Sequence, residues 1–128
     1  MSLVDEVGGG LDGLSQLRAL MASGRKPGIL VSLDFEFVED EAGRAVFAGT
    51  PGEHAYNPIG AVHGGYAATL LDSVCGCAVH SRLTASQAYT TLELKVAYHK
   101  GLRKTRDYCA PRGGCSPSVK GWRSPRPS

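Results

Sequence analysis

Residues 57 to 72 read NPIGAVHGGYAATLLD: a small-residue turn at the mouth of an apolar helix, with one carboxylate inside it. The turn ends in His63, Gly64 and Gly65. From there Tyr66, Ala67, Ala68, Thr69, Leu70, Leu71, Val74, Cys75, Ala78 and Val79 follow with almost no polar interruption. An apolar pattern all the way round predicts a buried helix from about residue 63 to residue 80. A helix start leaves backbone N–H groups unpaired and carries partial positive charge, and two glycines without Cβ atoms let a carbonyl come close to them. That is an oxyanion hole in outline. Asp72 is the one residue charged at neutral pH between His63 and the end of the helix near His80. A carboxylate among Leu70, Leu71 and Val74 must be hydrogen-bonded, held neutral or put to use.

Outward from this helix the elements are modest. Leu14, Leu17, Leu20 and Met21 are spaced for a short amphipathic helix stopped by Gly24 and Pro27, after a frayed lead over residues 1–10. Residues 29–38 (ILVSLDFEFV) alternate at Leu33, Phe35 and Phe37 as a half-buried strand. A charged turn over 39–43 leads to a hairpin partner over 44–49, then a loop over 51–57. Residues 89–98 place Leu92, Leu94, Val96 and Tyr98 on one face of a further strand. No apolar run reaches the roughly 18 residues of a membrane span, and the N-terminus is acidic rather than a basic leader, so a cytoplasmic protein is expected. Cys75 and Cys77 are two apart on the helix and point to different faces, so neither a disulfide framework nor a metal site is indicated. GxSxG is absent, as are a phosphate loop and a metal-ligand cluster.

The pattern N-P-x-G-x-x-H-G-G-x-x-A-x-L-L-D, followed by TTLELKVAY, resembles hotdog-fold acyl-CoA thioesterases of the phenylacetate-degradation (PaaI) type, over about residues 14–102. The resemblance implies an α+β hotdog fold, an antiparallel sheet wrapped around one long central helix, in a domain over residues 11–102. It implies hydrolysis of acyl-CoA to a free acid and CoA, with the thioester as substrate and no further cofactor. By the same resemblance the Gly64 N–H supplies the oxyanion contact, Asn57 or His63 helps place the thioester or the water, and Asp72 is general base or nucleophile. Thr91 matches a hydroxyl position that can hold the water, with Thr90 as the nearby alternative. Plainer roles compete: Asn57 before Pro58 is a common turn residue, His63 can cap the helix, the two glycines can serve close packing, and Thr91 can be strand packing. His54, His80 and His99 are given no role.

Gly64 and Asp72 lie eight residues apart, roughly 12 Å along one helix at 1.5 Å per residue, so they cannot both touch one reacting carbon. Two helices must share the work. Packed antiparallel about a two-fold axis, Asp72 of one subunit faces Gly64 of the other. A homodimer with two equivalent sites is therefore expected, with a tetramer also open.

The net charge of +2 hides a break. Residues 1–98 hold 6 Lys and Arg against 11 Asp and Glu, whereas residues 99–128 hold 8 against 1. Four of the seven prolines also fall in the last piece, and residues 103–128 have no period and few apolar residues. As a functional element such a tail would be a basic nucleic-acid arm, for which charge with only Tyr108 and Trp122 as stacking groups argues weakly; no nucleic acid is expected as partner. Shifted by two bases from Thr105, the codons permit AGLLRAEGRVLTVGQRVAFAEAK, a string that resembles the family's late strands. Its first two leucines are forced by any codons for Asp107, Tyr108 and Cys109. The tail is thus read as an out-of-frame, disordered segment, which leaves the hotdog sheet incomplete and the enzyme impaired. An acyl-CoA-binding hotdog protein without hydrolysis is the alternative function.

Overall fold

The computed structural model describes residues 2–99, 112–114 and 122–125. Leu3–Gly8 form α1, in place of the frayed lead, with Ser2 as its N-cap. Gly13–Ser23 form α2 as the spacing predicts. Asp12 caps it by accepting from the Ser15 N–H at 2.9 Å, and Gly24 ends it in the left-handed conformation at φ 70°. The Gln16 amide donates to the Gly8 carbonyl and ties the two helices together.

The next segment differs from expectation. Gly28–Leu33 form α3, and only Phe35–Glu41 form the strand β1. The branched Ile29 and Val31 favour a strand, but packing decides: Leu30 turns into the core while Ile29 and Val31 face outward at 49% and 65% exposure. Asp34 closes the helix at φ 57°, its N–H bonding to the Leu30 and Val31 carbonyls. Arg44–Gly49 form β2, antiparallel to β1 and buried over Ala45 to Gly49. A bulge between Phe37 and Glu39 shifts the register. Beyond it Asp40, with 8% of its side chain exposed, rather than Glu39 turns inward.

A single 3-10 turn, Glu53–Ala55, interrupts the loop that leads to α4, Gly64–His80. This is the long helix the sequence predicts. It is not buried all round: Tyr66, Leu70, Val74, Ala78 and Val79 are buried, whereas Leu71, Asp72, Ser73, Cys75 and Cys77 are half-buried. The core lies between its inner face and the hairpin, with Phe35, Phe47, Leu70 and Val74 the largest fully buried side chains. Phe37 stacks on Phe47 at 4.6 Å and Phe35 meets Tyr66 edge-on at 5.0 Å.

The strand expected over 89–98 is shorter and earlier. β3 spans Gln87–Thr90 and pairs with β5, Trp122–Pro125; β4, Arg112–Gly114, pairs with β2. The sheets are thus β1-β2-β4 and β3-β5. Residues 91–98 pair with no strand among the described residues, and Leu92, Leu94 and Tyr98 stand 67%, 41% and 56% exposed. Apart from β4 and β5, the tail and its reading frame lie outside the described residues. A long helix packed on an antiparallel sheet that, among the described residues, does not close around it is a hotdog-like arrangement.

Candidate active site

The loop before α4 is held by its own side chains. The Asn57 side-chain oxygen accepts from the N–H groups of Ile59 and Ala61 at 3.2 and 3.1 Å, and the Asn57 N–H donates to the Ala61 carbonyl at 2.8 Å. Gly60 completes this turn at φ 80°. Asn57 is thereby engaged as a turn residue. The chain returns to His63, whose N–H donates to the Ala55 carbonyl at 2.7 Å.

His63 is the N-cap of α4. Its Nδ1 accepts from the Gly65 N–H at 2.8 Å and its carbonyl accepts from the Tyr66 N–H at 3.0 Å. Acceptance at Nδ1 leaves the ring hydrogen on Nε2. With those two donors engaged, the Gly64 N–H stands at the helix start with no partner among the described residues, open to an incoming acceptor. Gly64 itself is exposed. Its carbonyl accepts from the Tyr98 hydroxyl, a residue the sequence offered only as one of an alternating apolar set.

Two turns along α4, half-buried Asp72 accepts a hydrogen bond from Thr91: Oγ1 to Oδ1 is 2.9 Å. Thr91 is the first residue past β3, so the end of that strand delivers the hydroxyl. Thr90 is taken up in the β3 pairing opposite Trp122. The structure therefore brings Thr91 to Asp72, and gathers Asn57, His63 and Gly64 at the N-terminal end of α4.

Asp72 and Thr91 form part of the wall of a cavity of about 440 Å³ between α4, the hairpin and the corner where α2 meets α3. The corner contributes Met21, Gly24 and Pro27, and Phe37, Phe47, Cys77 and Tyr89 close the inside. Burial pushes the Cys77 thiol up to about 12, with the Asp40 charge adding to it. Burial likewise raises the Tyr89 phenol, followed by the nearby Cys77 and Asp72. Both groups therefore face the cavity uncharged near neutral pH. Gly76 is what lets Tyr89 lie against α4, since a Cβ there would collide with the phenol oxygen. Asp40, behind Cys77, has one buried carboxylate oxygen without a hydrogen bond, and desolvation raises its affinity for a proton despite Arg18 at 3.9 Å. Sequence spacing carried no signal for this cavity, because its walls come from segments far apart in the chain.

Among the described residues no three His, Cys, Asp or Glu side chains are grouped to hold a metal ion. No helix among them is long and apolar enough to cross a membrane.

A family model described as the thioesterase superfamily matches residues 59–110, a span that includes His63, Gly64, Asp72 and Thr91. No curated protein matches the chain. Among solved structures, a thioesterase family protein from Silicibacter pomeroyi aligns with a TM-score of 0.64 at 24% identity, covering 73% of this chain and 67% of that one. A thioesterase from Haemophilus influenzae aligns with a TM-score of 0.62 at 16% identity, covering 77% of this chain and 65% of that one. The PaaI protein of the phenylacetic acid degradation operon of E. coli gives a TM-score of 0.49 at 16% identity. The chain spans about two thirds of the length of the first two, and at these identities the likeness is one of fold.

Proposed function

We propose that this chain is one subunit of a PaaI-type acyl-CoA thioesterase that hydrolyses its substrate to a free acid and CoA at sites shared between two copies. The observation that carries the reading is the 2.9 Å hydrogen bond from Thr91 to Asp72 at the wall of an apolar cavity. It is supported by the thioesterase match across the same residues.

Thioester hydrolysis needs an activated water and a donor for the oxygen that becomes negative. Thr91 donates to one oxygen of Asp72 and keeps its own lone pairs to hold a water. The second oxygen of Asp72 accepts that water's proton as the water adds to the carbonyl carbon. The oxyanion is met by the free Gly64 N–H of a second copy, since Gly64 of the same copy is roughly 12 Å away along the helix. Collapse of the adduct breaks the C–S bond, and the proton held by Asp72 passes to the departing thiolate. In this reading His63 fixes which helix-start N–H stays available, and Asn57 shapes the loop that presents it.

The test is thiol release from aryl and medium-chain acyl-CoAs. The chain is expected to release thiol, and Asp72→Asn to lower kcat by at least about a hundredfold with KM little changed. Turnover in Asp72→Asn equal to that of the parent would remove Asp72 from the chemistry. Acyl-CoA binding without any thiol release would leave a binding protein.

A further inference from the structure

We infer that the cavity bounded by the α2–α3 corner and α4 receives the acyl part of the substrate as an unbranched apolar chain of medium length, and that Met21 sets how much of the chain fits. This rests on the thioesterase reading and extends it from the reacting groups to the rest of the cavity they border.

Asp72 and Thr91 lie in the cavity wall, so a thioester carbonyl placed at Asp72 sends its acyl chain inward along that wall. Much of the lining is apolar: Leu20, Met21, Leu30, Phe37 and Phe47 line the space together with the Cys77 thiol, which burial keeps protonated. Phe37 and Phe47 spend their facing ring surfaces on each other, stacked at 4.6 Å. What they leave is an apolar wall rather than a slot between two rings.

The cations in the lining are already engaged. Arg25 pairs with Glu6 at 2.7 Å and Lys26 with Glu36 at 2.5 Å. An acyl group ending in a carboxylate would meet no unpaired cation there among the described residues, would approach the Asp72 carboxylate, and would lose hydration on entry. A volume of about 440 Å³ lies toward the lower end of ligand-sized pockets. That is ample for a medium chain. Met21 is half-buried on α2, next to buried Leu20 and outside the central cluster around Phe35 and Leu70. Its thioether side chain is unbranched and adaptable, so the space it takes can be changed without emptying the core.

The experiment is kcat/KM for straight-chain acyl-CoAs from acetyl to dodecanoyl, with succinyl-CoA as the charged control. The value is expected to rise about fourfold per added methylene until the cavity is full and then to stop rising. Met21→Trp is expected to move that break to a shorter chain and Met21→Ala to a longer one. Opposite shifts cannot come from lost stability, which would lower all substrates together. A flat series, a preference for succinyl-CoA, or a break that neither variant moves overturns the inference. Calorimetry with non-hydrolysable thioether analogues of the same lengths separates the two readings. Length-dependent binding without turnover of any thioester keeps the acyl cavity and removes the hydrolase, whereas turnover without length dependence does the reverse.

Discussion

Thr91 and Asp72 carry the most specific prediction at the scale of single residues. Losing a hydrogen bond to a charged group costs about 1.5–3 kcal/mol, which in a transition state is roughly ten- to a hundredfold in rate. Thr91→Val is expected to fall by that factor in kcat, and Thr91→Ser, which keeps the hydroxyl, to recover most of it. Equal losses in both would make Thr91 a packing residue. Cys77 gives a second prediction through its burial. A thiol raised from 9.0 to about 12 holds roughly a thousandth of the usual thiolate, so iodoacetamide should modify it about a thousandfold more slowly than the unfolded chain at pH 8. The sign of its pH effect follows from linkage. The unfolded thiol loses its proton near 9 while the folded one keeps it, so the unfolded state binds fewer protons and stability falls as pH rises from about 9 toward 12. Cys77→Ser is expected to flatten that part of a melting-temperature profile; an unchanged slope would assign it to other groups.

Among the elements, the contact between α2 and the end of α4 depends on Gly13. Its N–H donates to the Leu83 carbonyl at 2.9 Å, and a Cβ at this position would overlap the His80 carbonyl. Gly13→Ala is expected to destabilise the fold by about 1–3 kcal/mol as an overpacked contact, read as a lower melting temperature. A melting point equal to that of the parent would mean that the helices separate freely there. The elements also differ in how far the sequence announced them. α4 was legible because one residue, His63, sits where an apolar run begins, and α2 because Gly24 and Pro27 follow its last apolar turn. α3 was not, since Ile29 and Val31 favour a strand and only the burial of Leu30 selects the helix. Residues 91–98 alternate like a strand, but alternation does not provide a neighbouring strand, and none pairs with them among the described residues. The inward turn of Asp40 follows from a bulge that leaves no mark in composition. For the candidate site, the resemblance to a known pattern supplied the residues proposed, whereas the local ties of Asn57 and the reach of Tyr98 to Gly64 required the folded chain. The cavity was hidden altogether, because Met21, Phe37, Cys77 and Tyr89 meet only in three dimensions.

At the scale of the whole molecule, the half-buried face of α4 and exposed Leu92, Leu94 and Tyr98 leave apolar surface that a second copy would cover. If residues 103–128 are out of frame, a frame-corrected chain completes the sheet. It is then expected to melt at a higher temperature and to turn over faster than this one; equal melting and turnover would argue for the tail as it stands. The central claim is that Asp72 of one copy works with Gly64 of the other, and subunit complementation measures it directly. Gly64→Val places its Cβ in ordinary contact with the Tyr98 ring, 3.4–3.5 Å away, so the helix start is kept while the approach to its N–H is obstructed. Asp72→Asn and Gly64→Val are each expected to be inactive alone. Mixed one to one and allowed to exchange, they should recover about a quarter of parental thiol release, because half of the pairs are mixed and each mixed pair gathers both defects into one of its two sites. A mixture as inactive as its components, with exchange verified, would contradict a shared site.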